Sequence, residues 1–106
     1  MIAVTRIPTH RNDGSEVTAK ELQRILRQVR RKFHGYSLEG PYPGAWVASN
    51  GAVVEEESYK LEVVVPRHRV EEIRAHFMKI GRRLGQRAIF FEVREGGEII
   101  ELNGED

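Results

Sequence analysis

Three consecutive carboxylates, Glu55, Glu56 and Glu57, stand between an Asn-Gly turn and a strand-type run that ends at Val65. Carboxylates can act as general acids or bases or can hold a cation, and Trp46 nearby offers an aromatic face for cation-π contact. Because side chains alternate along a strand, we expect Glu55 and Glu57 on one side of the sheet and Glu56 on the other. The competing interpretation is that these charges only keep a projecting strand soluble.

The other reactive residue types form no recognisable pattern. The four histidines lack the spacing of metal ligands, and the chain contains no cysteine, which excludes disulfides, thiolate metal sites and a cysteine nucleophile. Glycine-rich phosphate loops, nucleophile elbows and HExxH motifs do not occur in the sequence. We therefore predict no metal site and no cofactor.

The length and composition of the chain limit its organisation. With 106 residues, of which 40% are apolar, it can bury one small core, and we predict a single domain over residues 1–106. The sequence has no apolar run of about 20 residues, and its start, MIAVTRIPTH, lacks the pattern of a secretory signal. We expect a cytoplasmic protein, with stability supplied by packing or by assembly.

Basic residues are concentrated on the first predicted helix, although the net charge is only +1. Arg24, Arg27 and Arg31 would share its polar side and could bind the phosphate backbone of a nucleic acid. However, the predicted sheet lacks the pair of aromatic residues with which RNA-binding sheets of this kind stack bases. Solvation is the more common role of such a surface, so nucleic-acid binding is only an alternative interpretation.

The first half of the chain predicts a strand followed by a helix. The β-branched run Ile2–Ile7 stops at a proline and is typical of a strand. Thr18 and Glu21 have the spacing of a capping box, and apolar residues then recur with the helical period until Gly35.

The middle of the chain predicts a hairpin. Because Gly40–Gly44 contains two prolines, we expect the second strand to begin near Ala45 and to end at Ser49. Asn50-Gly51 predicts a type I′ turn. The third strand, from about Ala52 to Val65, is longer than usual, so its first part should project from the sheet.

The last part of the chain predicts a second helix and two further strands. Apolar residues from Val70 to Leu84 recur at helical spacing, and Ala88–Val93 has the composition of a buried strand. Gly96-Gly97 predicts a turn before a short edge strand over Glu98–Leu102.

This order of elements predicts a ferredoxin-like α+β fold, a βαββαβ antiparallel sheet with two helices on one face and a short extra C-terminal strand. The other face of the sheet would then be open, with Ser58, Lys60 and Glu62 on it beside Val54 and Val64. The fourth strand would add Phe90 to one face and Ile89, Phe91 and Val93 to the other. An uncovered face with apolar side chains favours pairing with another copy, so we predict a homo-oligomer, either a dimer or a trimer.

A family resemblance extends over about the last two thirds of the chain. The run from Gly35 contains G-Y-S-L-E-G, G-A-W, the N-G turn and E-E-E-S, and Gln86-Arg-Ala-Ile-Phe leads into the fourth predicted strand. This pattern resembles small bacterial and phage proteins and, more distantly, the phage S-adenosylmethionine lyases, which have a PII-like ferredoxin fold. The resemblance implies a homotrimer with an inter-subunit site for a small nucleotide-like molecule.

The same resemblance implies a set of site residues. In the lyases a tyrosine precedes the catalytic glutamate by a spacing similar to that from Trp46 to Glu56 or Glu57, so these two glutamates are the catalytic candidates. The predicted ligand-binding residues are Trp46, Glu57, Tyr59 and Tyr42. Because an indole has no hydroxyl group for proton transfer, ligand binding is favoured over lyase chemistry, and the question of catalysis is left open.

Overall fold

The computed structural model describes residues 1–102, which form four strands and two α-helices. The strands and helices are β1 (Ile2–Pro8), α1 (Ala19–Phe33), β2 (Ser37–Val47), β3 (Val53–Val64), α2 (Val70–Arg83) and β4 (Phe91–Arg94). All strand pairs are antiparallel, and the order in the sheet is β2-β3-β1-β4. This is the predicted ferredoxin-like, PII-like arrangement.

Both helices begin and pack as their sequences predict. At the start of α1, the hydroxyl of Thr18 accepts a hydrogen bond from the amide of Glu21, and the Glu21 carboxylate accepts one from the amide of Thr18. This capping box satisfies two amides that have no partner within the helix. A single turn of 3₁₀ helix at Arg67–Arg69 precedes α2. Each helix buries one apolar stripe, which comprises Ile25, Leu26, Val29 and Phe33 in α1 and Ile73, Phe77 and Ile80 in α2.

The core lies between the helices and one face of the sheet. In the register of β1 with β3, Ala3 is opposite Val63 and Thr5 is opposite Leu61, and all four residues are buried. Residues from both helices belong to the same buried cluster as these strand residues. The predicted cover of the sheet by helices on one face only is therefore confirmed.

The other side of the sheet, which we call the helix-free face, carries Val4 at its centre. Val4 lies opposite Glu62 on β3 and Glu92 on β4, yet only 1% of it is exposed. Glu62 forms ion pairs with Lys60 and Arg94, both at 2.9 Å, and Arg94 also lies 3.7 Å from Glu92. These hydrogen bonds, first from Lys60 and then from Arg94, hold the pKa of Glu62 below its usual value. The centre of this face is therefore charged, and Lys60 and Glu62 lie on it as the alternation along the third strand predicts.

The second strand begins earlier than predicted. It starts at Ser37 and includes both prolines of the Gly40–Gly44 segment, because β2 is an edge strand and needs ladder hydrogen bonds on only one side. The register shifts between Glu39 and Tyr42, where one extra residue enters β2, and the Gly40–Pro41 peptide is cis. The prediction of a start near Ala45 was therefore wrong.

The hairpin between β2 and β3 projects from the rest of the molecule, as the length of the third strand predicts. β1 pairs with β3 only from Ser58 onward, so Val53–Glu57 has β2 as its partner. The molecule is accordingly elongated, with extents of 55, 28 and 22 Å. The turn is a three-residue loop closed by the Ala48 and Ala52 backbones, and only Gly51 has positive φ, so the predicted type I′ turn was wrong.

The end of the chain differs most from expectation. β4 is only four residues long, because the segment before it makes other contacts. The hydroxyl of Thr5 donates a hydrogen bond to the carbonyl of Phe90 at 2.6 Å, and Ile89 packs against Gly81. The predicted fifth strand over Glu98–Leu102 does not form within residues 1–102. The turn glycines, Gly96 and Gly97, do adopt positive φ.

His76 on α2 lies between the two helices. Its ring meets Phe33 edge-on, with ring centroids 5.5 Å apart, and its shielded Nε2 has no hydrogen-bond partner in the described part of the chain. Burial and then the charges of Lys32, Lys79 and Arg83 lower the pKa of His76. The folded protein therefore favours the neutral imidazole.

We expect the free energy of unfolding to fall as the pH drops below about 6.5. In this range His76 binds a proton in the unfolded chain but stays neutral in the folded protein, where its pKa is lower. The loss should continue until the pH reaches the lowered pKa of the folded state. Glu72 opposes this effect, but its contribution is the smallest. Urea denaturation from about pH 7.5 to about pH 5 would measure the slope.

The matched control is the exposed His68. The slope should flatten in His76→Leu and persist in His68→Leu. An unchanged slope in His76→Leu would contradict the assignment.

Candidate functional site

Glu56 lies in an open position on one side of the projecting hairpin. The register places Gly44 opposite Glu56 and Tyr42 opposite Ser58, while Trp46 lies two pairs nearer the tip than Gly44, on the same side. Tyr42 and Trp46 are therefore the diagonal neighbours of Glu56 across the two strands. Because Gly44 has no side chain, the space between the two aromatic residues is unfilled. We call this surface, which continues the helix-free face, the Glu56 face.

The extra residue in β2 determines this grouping. Leu38 points to the core opposite Leu61, so strict alternation would send Tyr42 and Trp46 to the same side as Leu38. The register shift between Glu39 and Tyr42 reverses the alternation and moves both aromatic side chains to the Glu56 face.

The predicted ligand-binding residues are divided between two sides of the sheet. Trp46 and Tyr42 lie with Glu56, whereas Glu57 and Tyr59 point to the helix-covered side, where Tyr59 packs against the core. The carbonyl of Glu57 accepts hydrogen bonds from the amide and the hydroxyl of Thr9, at 2.9 and 3.2 Å. Within one copy, only Glu56 of the two catalytic candidates therefore shares a surface with the aromatic pair.

A small cavity opens beside Glu56, where β1 extends past the end of β4. Its lining includes Arg6, Pro8, Glu56, Ser58 and Phe90, and it encloses about 40 Å³. Ligand pockets usually measure roughly 300–1,000 Å³, whereas a cavity of this size holds only a few water molecules. A second depression, lined by Pro43, Gly44, Ala45, Glu55 and Glu56, measures about 650 Å³ but is wide open to solvent. One copy therefore offers a wall of a binding site and not an enclosed pocket.

Arg6 and Glu56, which both line the cavity, carry opposite charges. Neither makes an ion pair with any residue in the range 1–102, in contrast to the paired charges at the centre of the helix-free face. Glu56 is half-buried, while Glu55 and Glu57 are exposed. The cavity lining thus combines an available cation with an available anion, and Glu56 also neighbours the aromatic pair of the hairpin.

The sequence did not identify Arg6, Gly44 or Ser58 as site residues. Alternation along the first strand places Arg6 on the helix-free face, which is the only sequence signal for its position. Gly44 and Ser58 join the site through the register of the hairpin, which depends on a bulge that the residue pattern does not reveal.

The basic residues of the alternative interpretation lie elsewhere. Arg24, Arg27 and Arg31 are exposed along α1, on the opposite side of the sheet from the Glu56 face. No contact within residues 1–102 links them to the cavity, so nucleic-acid binding stays a prediction.

Metal sites and membrane-spanning helices are absent from the part of the chain that the structure describes. No group of three or more histidine, aspartate or glutamate side chains lies close enough there to hold a metal ion. Over the same residues, neither helix has the length and apolar composition needed to cross a membrane.

Solved structures resemble this chain in fold. A phage SAM lyase in complex with S-methyl-5′-thioadenosine superposes with a TM-score of 0.58 and 11% sequence identity, covering 92% of each chain. The divalent cation tolerance protein Cut A1 from Thermus thermophilus gives a TM-score of 0.53 at 13% identity, covering 92% of this chain and 85% of the other. The sequence matches no known protein-family model and no curated protein. The predicted resemblance is confirmed at the level of the fold.

Gly44 and Gly40 form a matched pair for testing this geometry. A Cβ on Gly44 would approach nothing closer than the Glu56 carbonyl at 3.9 Å, whereas Gly40 has φ +110° and a Cβ there would lie 3.1 Å from the Tyr42 amide. We expect Gly44→Val to keep or raise stability by about 0.5 kcal/mol, since glycine weakens a strand. Gly40→Val should lower it by more than about 1 kcal/mol. Urea denaturation midpoints measure both, and equal losses would contradict the described register.

Proposed function

We propose that this protein is a self-associating ligand-binding protein that holds a small nucleotide-like molecule on the Glu56 face. The observation that carries the proposal is Glu56, a half-buried residue whose carboxylate has no ion-pair partner within residues 1–102 and which lies opposite Gly44 between two aromatic residues. We place this role in the cytoplasm, in accordance with the expectation from the sequence.

The chemistry of the face favours a ligand with a flat base and a positive charge. Tyr42 and Trp46 offer faces on which an adenine can stack, and a sulfonium or ammonium group is attracted both to such rings and to a carboxylate. Arg6, which also lines the cavity, could bind a carboxylate by two parallel hydrogen bonds. S-Adenosylmethionine possesses all of these groups.

The small enclosed volume in one copy supports a site completed by a second copy. The cavity of about 40 Å³ cannot enclose a nucleoside, and the hairpin that carries Tyr42 and Trp46 projects into solvent. A neighbouring copy would supply the missing wall and would also bury the exposed apolar side chains. We propose a homotrimer in preference to a dimer.

A lyase is the second candidate function. The structure places Tyr42 on the same side of the hairpin as Glu56, so a phenolic hydroxyl is available although Trp46 stands at the position expected for tyrosine. Cleavage would break the bond between the sulfonium and the aminobutyryl carbon, and the electron pair would stay on sulfur to give methylthioadenosine. The carbon would accept a nucleophile such as the carboxylate of the same substrate. Glu56 could stabilise the positive charge and orient the substrate.

Binding can be tested with S-adenosylmethionine and methylthioadenosine by calorimetry and by the fluorescence of Trp46, the only tryptophan. We expect Glu56→Gln to weaken binding of the cationic ligand by at least about tenfold, and that of the neutral thioether by much less. Glu57→Gln is the control, because that carboxylate lies on the other side of the strand. Gly44→Leu should block both ligands by filling the space opposite Glu56.

Two outcomes would overturn the binding proposal. One is failure of the unmodified protein to bind either ligand. The other is an equal effect of Glu56→Gln and Glu57→Gln, which would mean that the Glu56 face does not hold the ligand.

Catalysis needs a separate measurement. If the protein is a lyase, incubation with S-adenosylmethionine should produce methylthioadenosine, detected by mass spectrometry, and Tyr42→Phe should slow its formation more than Tyr36→Phe. Tyr36 is similarly exposed but lies just outside β2. Binding without product formation would eliminate the lyase candidate and leave the binding function in place.

A further inference from the structure

The segment Glu98–Leu102 has the composition of a strand but lies unpaired after β4. Its three large apolar side chains, Ile99, Ile100 and Leu102, are between 67% and 83% exposed. They form no part of the core, and the segment has no strand partner within the described residues. Exposure of adjacent isoleucines and a leucine in one short segment is unfavourable unless another surface covers them.

The segment does not fold back along its own sheet. Gly97 lies directly against Ile2 at the start of β1, where a Cβ on Gly97 would come within 2.6 Å of the Ile2 side chain. The chain therefore passes the end of β1 and does not turn back along β4. The other free edge of the sheet belongs to β2, on the far side from β4.

The outer edge of β2 is a suitable acceptor for such a segment. β2 has eleven residues and pairs only with β3, so one side of its backbone is unpaired within residues 1–102. Pro41 and Pro43 lack amide donors, which leaves Gly44–Val47 as the part that can form a regular ladder. Val47 is 66% exposed, and Trp46 is also accessible. A five-residue segment is one residue longer than this stretch, so it can pair along all of it and would cover apolar residues on both sides.

We infer that Glu98–Leu102 of one copy adds as an extra strand to the Gly44–Val47 edge of β2 in a second copy. The inference rests on the self-association proposed above, and it names the surfaces that make the contact. Donor and acceptor are different parts of the chain, so the contact is head-to-tail and can close into a ring such as a trimer. The added strand lies beside Trp46 and supplies a wall of the ligand site from the neighbouring copy.

Disulfide trapping tests the contact directly, because the chain contains no cysteine. A Leu102→Cys variant is mixed with an Ala45→Cys or a Val47→Cys variant and oxidised, so that any covalent pair must join two copies. We expect at least one of these mixtures to give about tenfold more cross-linked pair than Leu102→Cys mixed with Ala75→Cys, which lies exposed on α2. Equal yields in all mixtures would overturn the inference.

A backbone substitution provides the second measurement. Ile100→Pro removes an amide and should raise the concentration at which the assembly dissociates by at least about tenfold, as measured by light scattering. Ile100→Val, which keeps strand propensity, should change it little. An assembly with the same dissociation concentration in Ile100→Pro would overturn the inference.

The outcomes separate this inference from the proposed function. Cross-linking of Leu102→Cys to β2 without any ligand binding would refute the proposed ligand site and support the strand contact. Ligand binding that depends on Glu56, without cross-linking above the Ala75→Cys control, would refute the strand contact alone.

Discussion

The antiparallel pairing of β1 with β3 is the interaction on which the rest of the molecule depends. It fixes which alternate residues face the helices, and it leaves the first five residues of β3 with β2 as their partner. The core, the helix-free face and the projecting hairpin all follow from this register. Because a shift of one residue would exchange the two faces, the burial of Ala3, Leu61 and Val63 holds the register in place.

The bulge in β2 reverses the alternation of side chains in the part of the strand that borders the proposed ligand site. One additional residue near Gly40–Pro41 reverses the direction of the side chains that follow, so Tyr42 and Trp46 meet Glu56 and do not point to the helix-covered side. The charged residues at the centre of the helix-free face form ion pairs with one another. Arg6 and Glu56, nearer the hairpin, form no ion pair within the described chain.

The sequence predicted the parts of the fold that depend on local pattern. The capping box at Thr18 and the helical period located α1, and alternation separated Glu56 from its neighbours. Prediction from the sequence failed where a tertiary contact determines the local structure. The prolines of β2 are tolerated because the strand is at an edge. β4 is short because Thr5 and Gly81 hold the preceding segment. The composition of the site depends on a bulge and on the relative positions of β1 and β3, which no single segment encodes.

The part of the hairpin that does not pair with β1 is long enough for a small rotation at its base to move its tip by several ångströms. Residues 53–57 extend about 16 Å beyond the last pair with β1, since a strand rises about 3.3 Å per residue. A tilt of about 10° at the base would therefore displace the tip by about 3 Å, which is more than half of the spacing between neighbouring strands. Small changes near Ser58 are thus amplified at the loop formed by residues 49–51, and the hairpin converts local rotation into a large displacement at its end.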